Sequence, residues 1–143
     1  MYAALRAIPI PDEVVARLFH AASLLREHRG DGHIAALMIE GVGGLEAHVL
    51  YALDMRLPAE KFGRIHHLPA AQLAAIIDGM RDRGLIGDDG WLSEPGRAVK
   101  QRVEAHTDDL AAKPYESLEP GELDELVATL EPLAQRLIAA QNG

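Results

Sequence analysis

The sequence predicts a mainly α-helical fold, on three observations. Hydrophobic residues make up 48% of the 143 residues but aromatics only 4%, so the core draws on Leu, Ala, Ile and Val, which suit packed helices better than a sandwich or barrel. Segments bounded by Gly or Pro carry apolar residues at helical spacing. From Leu73 to Arg97 the period changes twice. Leu73, Ile76, Ile77 and Met80 mark one helical face, Gly84 ends it, and Leu85-Ile86 and Trp91-Leu92 read as short strands around the turn residues Gly87-Asp88-Asp89-Gly90. Ser93, followed by Glu94 and Pro95, then caps a further helix. Helix, minimal hairpin and helix together give the expected architecture, a winged helix-turn-helix with a minimal two-stranded wing.

Taken in order, residues 1–10 are mildly apolar and end at prolines. Pro11-Asp12-Glu13 opens a helix, with proline at its first position and acids at the positive end of its dipole. Val15, Leu18, Phe19, Ala22 and Leu25 line one face of it. Gly30-Asp31-Gly32 should break it near Arg29, with Asp31 capping a new helix through Ile34, Leu37 and Met38. A second break at Gly41 to Gly44 precedes a helix through Leu45, Val49, Leu50 and Leu53, and Pro58 begins a short one containing Phe62. Pro69 starts the Leu73 helix. After the hairpin, a helix runs through Val99 and Val103 to a break at Lys113-Pro114. The last helix, starting near Glu119, spaces Leu123, Val127, Leu130, Ala134 and Leu137 as a narrow seam suited to a partner helix, with Pro132 inside it. One domain over residues 1–143 is expected from this length.

The net charge of −8 is unevenly placed. Residues 1–103 hold 12 basic and 13 acidic side chains, whereas residues 104–143 hold 2 basic and 9 acidic, so the acidity belongs to the C-terminal arm. There is no cysteine, hence no disulfide or thiolate metal site. Apolar runs fall far short of the ~20 residues that cross a bilayer, and no signal peptide is visible, so the expected location is the cytoplasm, without a membrane partner.

The stretch from Gly79 to Leu110 resembles MarR-type regulators, in which a recognition helix ends in an L-x-x-x-G-L segment and an L-T-x-x-G-R start follows the wing. Met80, Gly84, Leu85, Leu92, Gly96 and Arg97 occupy those positions, with Ser93 in place of threonine. Residues 24–37 (LLREHRGDGHIAAL) and 106–118 (HTDDLAAKPYESL) are similar to a little-characterised actinobacterial helix-turn-helix family, a resemblance covering nearly the whole chain. Its members usually carry a further N-terminal helical region that is not found in these residues. The resemblance implies long N- and C-terminal dimerisation helices, residues 12–28 and 119–141, a homodimer, and an effector bound between that interface and the DNA-binding lobe. The narrow seam and the acidity of the last helix agree with it, since acid there keeps that lobe from phosphate.

DNA recognition needs basic or amide side chains on the outward face of the Leu73 helix. That face offers Ala70, Ala71, Gln72, Ala75, Asp78 and Gly79, of which Gln72 is a natural base reader. Lys61, Arg64, His66 and His67 before the helix, and Arg81 and Arg83 after it, form a phosphate-contacting set. The hairpin tip, Asp88-Asp89, repels phosphate where a MarR-like wing carries an arginine. A second constellation, Arg26, His28, His33, Glu46 and His48 with Asp31, gathers around the glycine breaks. It reads as a small-molecule site rather than a metal site, because no metal-ligand spacing supports the latter. No nucleophile elbow, phosphate-cradling loop or paired catalytic carboxylates point to an enzyme, and no cofactor is implied. The function expected is a MarR-like DNA-binding transcriptional regulator responsive to a small molecule. The alternative is a winged-helix ligand- or protein-binding module that leaves DNA alone.

Overall fold

A computed structural model describes residues 1–62 and 67–141, and Arg64 and His66 lie outside them. The chain divides into two compact units, Met1–Ala111 and Ala112–Gly143. The first holds α1 (Tyr2–Arg6), α2 (Val14–Ile39), α3 (Gly44–Asp54), a 3₁₀ turn (Ala59–Lys61), α4 (Ala70–Asp82) and α5 (Glu94–Ala112). The second holds a 3₁₀ turn (Lys113–Ser117) and α6 (Glu122–Gln141).

Helix boundaries follow local chemistry. Glu13 caps α2, its carboxylate accepting the Ala16 N–H at 2.7 Å, so the helix begins at Val14, three residues after the proline start the sequence suggests. Three helices end alike. The amide of the second residue past the cap reaches back to the carbonyl six positions earlier in the closed turn: Val42 to Leu37, Leu57 to Ala52 and Leu85 to Met80, each at 2.9 Å. A left-handed residue makes each turn possible, Gly41, Arg56 and Gly84 respectively. Leu37 with Val42, and Met80 with Leu85, are buried pairs, so each of these turns also directs the chain back into the core.

Two expectations are corrected. Gly30-Asp31-Gly32 does not break α2, which runs unbroken through it to Ile39. Both glycines accept helical geometry, and a Cβ on Gly32 would stand 3.1 Å from Leu110 Cβ, so the missing side chain lets α5 come close. Asp31 caps a different helix: its carboxylate accepts the Tyr2 N–H at 3.3 Å, at the start of α1. The two-stranded wing is also absent, since there is no strand among the described residues. Leu85 to Ser93 closes on a single antiparallel bridge, Ile86 with Leu92, flanked by hydrogen bonds from Gly87 N–H to the Trp91 carbonyl (2.8 Å) and from Ser93 N–H to the Leu85 carbonyl (3.1 Å). The arms have no room to extend the ladder. Left-handed Gly84 turns the chain immediately before it, and α5 begins immediately after Ser93. The fold is therefore a helical helix-turn-helix without a wing.

The core lies where α3, α4 and α5 meet, with Leu50, Met80, Val49 and Val103 nearly inaccessible. α2 is about 39 Å long at 1.5 Å per residue and outruns that core. Its last turns bury Ala36 and Leu37, whereas Val15 and Phe19, on the same side by helical periodicity, are 71% and 74% exposed. α6 buries no residue, although Leu123, Val127 and Leu137 share its apolar seam. Among the described residues no single helix is long and apolar enough to cross a membrane. The pair α2 and α3 has the length and composition together, but is bent by 94° and spends Ala36, Leu37, Val49 and Leu50 on the core.

The first turn of α5 lies directly against the end of α4. A Cβ on Gly96 would overlap the Leu85 carbonyl oxygen and stand 3.0 Å from its carbon, whereas one on Gly30 meets nothing within 4 Å. Gly96→Ala should therefore cost on the order of 3 kcal/mol in denaturant unfolding, and Gly30→Ala, inside a helix, should gain about 0.5–1 kcal/mol. Equal effects of the two substitutions would contradict this packing.

Candidate nucleic-acid interface and pocket

The connection from α3 to α4 and the exposed side of α4 form the candidate interface. Ala71, Gln72, Ala75 and Asp78 are exposed on α4, and Gly79 is half-buried. Gln72 stands in the first turn, where Pro69 opens the helix and its carbonyl accepts the Gln72 N–H at 2.9 Å. Lys61 ends the 3₁₀ turn and is exposed, as is His67.

Hydrogen bonding sorts the cations. Arg81 pairs with Asp78 at 3.0 Å, one turn away on α4. Arg83 turns inward, donating to the Gly41 carbonyl and to Glu46 Oε1, both at 2.7 Å. It thereby ties the end of α4 to the corner between α2 and α3. Arg102 grips Glu40 through two nitrogens, which holds the Glu40 carboxyl below the usual range. Arg29 meets Glu104 and Asp108, Lys100 meets Glu104, and Arg17 and Arg97 donate to backbone carbonyls. Among the described cations of the first unit, Arg6, Arg56 and Lys61 are left with neither a carboxylate nor a carbonyl. Two of these three lie in the α3–α4 connection.

The sequence-level ligand constellation separates. Glu46 closes the start of α3, accepting the Gly43 N–H at 2.8 Å as well as the Arg83 bond. Arg26 pairs with the adjacent Glu27. His28 Nε2 lies 3.1 Å from the Leu110 carbonyl, with its ring 5.0 Å from that of Tyr2. His33 and His48 do come together, lining an open cavity of about 360 Å³ with Leu37, Ala47, Tyr51 and Phe62. Among the described residues no three His, Asp or Glu side chains gather as metal ligands.

A family model described as a helix-turn-helix family matches residues 1–143. The chain belongs to that helix-turn-helix family. No curated protein and no solved structure matches it significantly. Membership suggests a DNA-binding regulator, and in this helix-turn-helix protein Lys61, in the connection just described, is exposed with neither a carboxylate nor a carbonyl partner.

Aromatic walls of the pocket were the part missed by sequence reading. The rings of Tyr51 and Phe62 lie 5.0 Å apart, tilted by 36°, and Tyr51 follows His48 by three positions, a helical-neighbour signal that could have placed it there. The buried Thr107 was missed too. Its hydroxyl donates to the Val103 carbonyl at 2.7 Å, so the 3.0 Å contact with His33 needs Nδ1–H of the imidazole as donor. Nε2 of neutral His33 is then an acceptor. Burial holds the His33 pKa below its ordinary value; Glu104 opposes this, and Arg29 and Lys100 add to it. A lowered folded pKa gives stability that is complete above the unfolded value of about 6.5 and is lost as pH falls toward the folded value. Melting temperature should therefore drop as pH falls below about 6.5. His33→Gln should remove that component in a pH series of thermal melts, and an unchanged profile would show that His33 does not carry it.

Proposed function

We propose that the protein is a DNA-binding transcriptional regulator, MarR-like in working as a homodimer and in having its DNA affinity tuned by a small ligand. The observation that carries the DNA reading is the exposed start of α4: Gln72 in its first turn and, ahead of the helix, Lys61, which has neither a carboxylate nor a carbonyl partner, are both exposed. Lys61, Gln72, Arg81 and His67 are the contacts, and Arg64 and His66, outside the described residues, belong to the same set by sequence. Arg83 positions the helix from behind. Lys61 and Arg81 supply phosphate contacts, and Gln72 reads a base edge.

Homodimerisation is supported by the naked apolar face of the first half of α2 and by the unburied seam of α6. The ligand site is supported by the cavity at His33 and His48, whose volume lies within the range of small-molecule pockets. Its aromatic walls suit a flat apolar molecule, and the Nε2 acceptor of His33 suits an N–H or O–H on it. Asp88-Asp89 favours the alternative of a module that leaves DNA alone, because both carboxylates are exposed at the hairpin turn.

Titration against the DNA upstream of its own gene and against random duplex, at several salt concentrations, separates the two readings. The regulator reading requires binding that weakens steeply with salt, tighter for the upstream DNA, with Lys61→Ala losing affinity on both duplexes. Failure to bind either duplex at low salt leaves the alternative. Sedimentation equilibrium should give twice the chain mass, reverting to one chain mass in Val127→Glu, and a wild-type monomer would refute the dimer. For the pocket, His48→Ala should weaken binding of an aromatic ligand found by thermal-shift screening, and unchanged affinity would remove that site.

A further inference from the structure

Three helices of the first unit end on a left-handed residue. At two it is glycine, Gly41 with φ 66° and Gly84 with φ 72°; at α3 it is Arg56 with φ 56°. Arg56 is the non-glycine residue with positive φ among the described residues. A Cβ there is sterically unfavourable, and glycine would close the same turn without strain. The side chain therefore does something other than end the helix.

Its guanidinium lies over the indole of Trp91, 5.4 Å from the ring centroid, and has no carboxylate or carbonyl partner. Stacking on an aromatic face fixes a guanidinium while leaving its N–H edge free, the edge that meets a phosphate with two parallel hydrogen bonds. Trp91 is itself fixed. Its ring is half-buried, and its backbone is held on both sides: the backbone N–H donates to Asp89 Oδ1 at 3.0 Å, and the carbonyl accepts from the Gly87 N–H. Asp88 and Asp89 give the hairpin acid where contact with DNA would call for a base, and Arg56 brings a cation from α3 onto the same hairpin.

We propose that Arg56, held in its strained conformation over Trp91, is a DNA-phosphate contact that supplies the positive charge the hairpin lacks. This rests on the DNA-binding reading and extends it to a residue outside the α4 set. Arg56 carries no base information, so its contribution is the same on every sequence.

The test compares wild type with Arg56→Gly, Arg56→Gln and Arg56→Lys, titrated with a short random-sequence duplex across a range of salt, with folding followed by circular dichroism. Arg56→Gly and Arg56→Gln should bind several-fold more weakly, with a log–log salt slope shallower by about one, while Arg56→Lys keeps the wild-type slope. If Arg56→Gly fails to fold, Arg56→Gln carries the comparison. Wild-type affinity and slope in the neutral variants overturn the Arg56 contact and leave the DNA reading intact. No duplex binding by the wild type at low salt overturns both.

Discussion

The contact on which the rest depends is backbone against backbone, the Leu85 carbonyl against the α-carbon of Gly96. Only a residue without a side chain lets the first turn of α5 come this close to the chain leaving α4. Ser93 fastens the join from both sides, its hydroxyl donating to the Gly84 carbonyl and accepting the Gly96 N–H at 3.0 Å. From there Val99 and Val103 face Met80, Leu85 and Leu92 in one core. The same closeness explains the missing wing, since a chain that must pass from left-handed Gly84 to the cap of α5 within a few residues has length for one bridge and no more.

α2 is attached to α5 by different means. Apolar burial there is thin, and the joint is polar: Arg102 with Glu40, Arg29 with Glu104 and Asp108, His33 with the buried Thr107, and His28 with the Leu110 carbonyl. Exposed ion pairs contribute little each, so the His33–Thr107–Val103 chain of hydrogen bonds, which runs from half-buried His33 to buried Thr107, is the specific element. This arrangement also consumes charge. Cations that would otherwise give a diffusely basic surface are spent on internal ties, in a chain whose net charge is −8, whereas Arg56 and Lys61 in the α3–α4 connection are not among them.

Much of the helical order was legible because periodicity and caps agree: the Leu73 face, the Gly84 stop, the Ser93 cap and the Lys113-Pro114 break all stand in the sequence. What misled were residues with two uses. Gly30-Asp31-Gly32 reads as a break, yet in place one glycine accommodates Leu110 and the aspartate caps α1, contacts made far away in sequence. Glu46 and Arg83 read as a ligand group and a phosphate contact, yet they satisfy each other. Hydrogen bonding to distant partners leaves no local signature. His33 and His48 lie on either side of the glycine break and are brought onto one cavity where α3 turns off from α2 at 94°. Arg56 had a signal, an arginine where a helix end favours glycine, but that signal is only visible once the helix boundary is known.

The central claim is that the α3–α4 connection and the exposed side of α4 meet DNA. Amide hydrogen–deuterium exchange, measured on the free protein and with saturating duplex, tests it most directly. The account predicts slowed exchange in residues 56–62 and in the first turns of α4, with α6 unchanged. Protection confined to α6 or to the first half of α2, or no protection in the connection while DNA is bound, would contradict it.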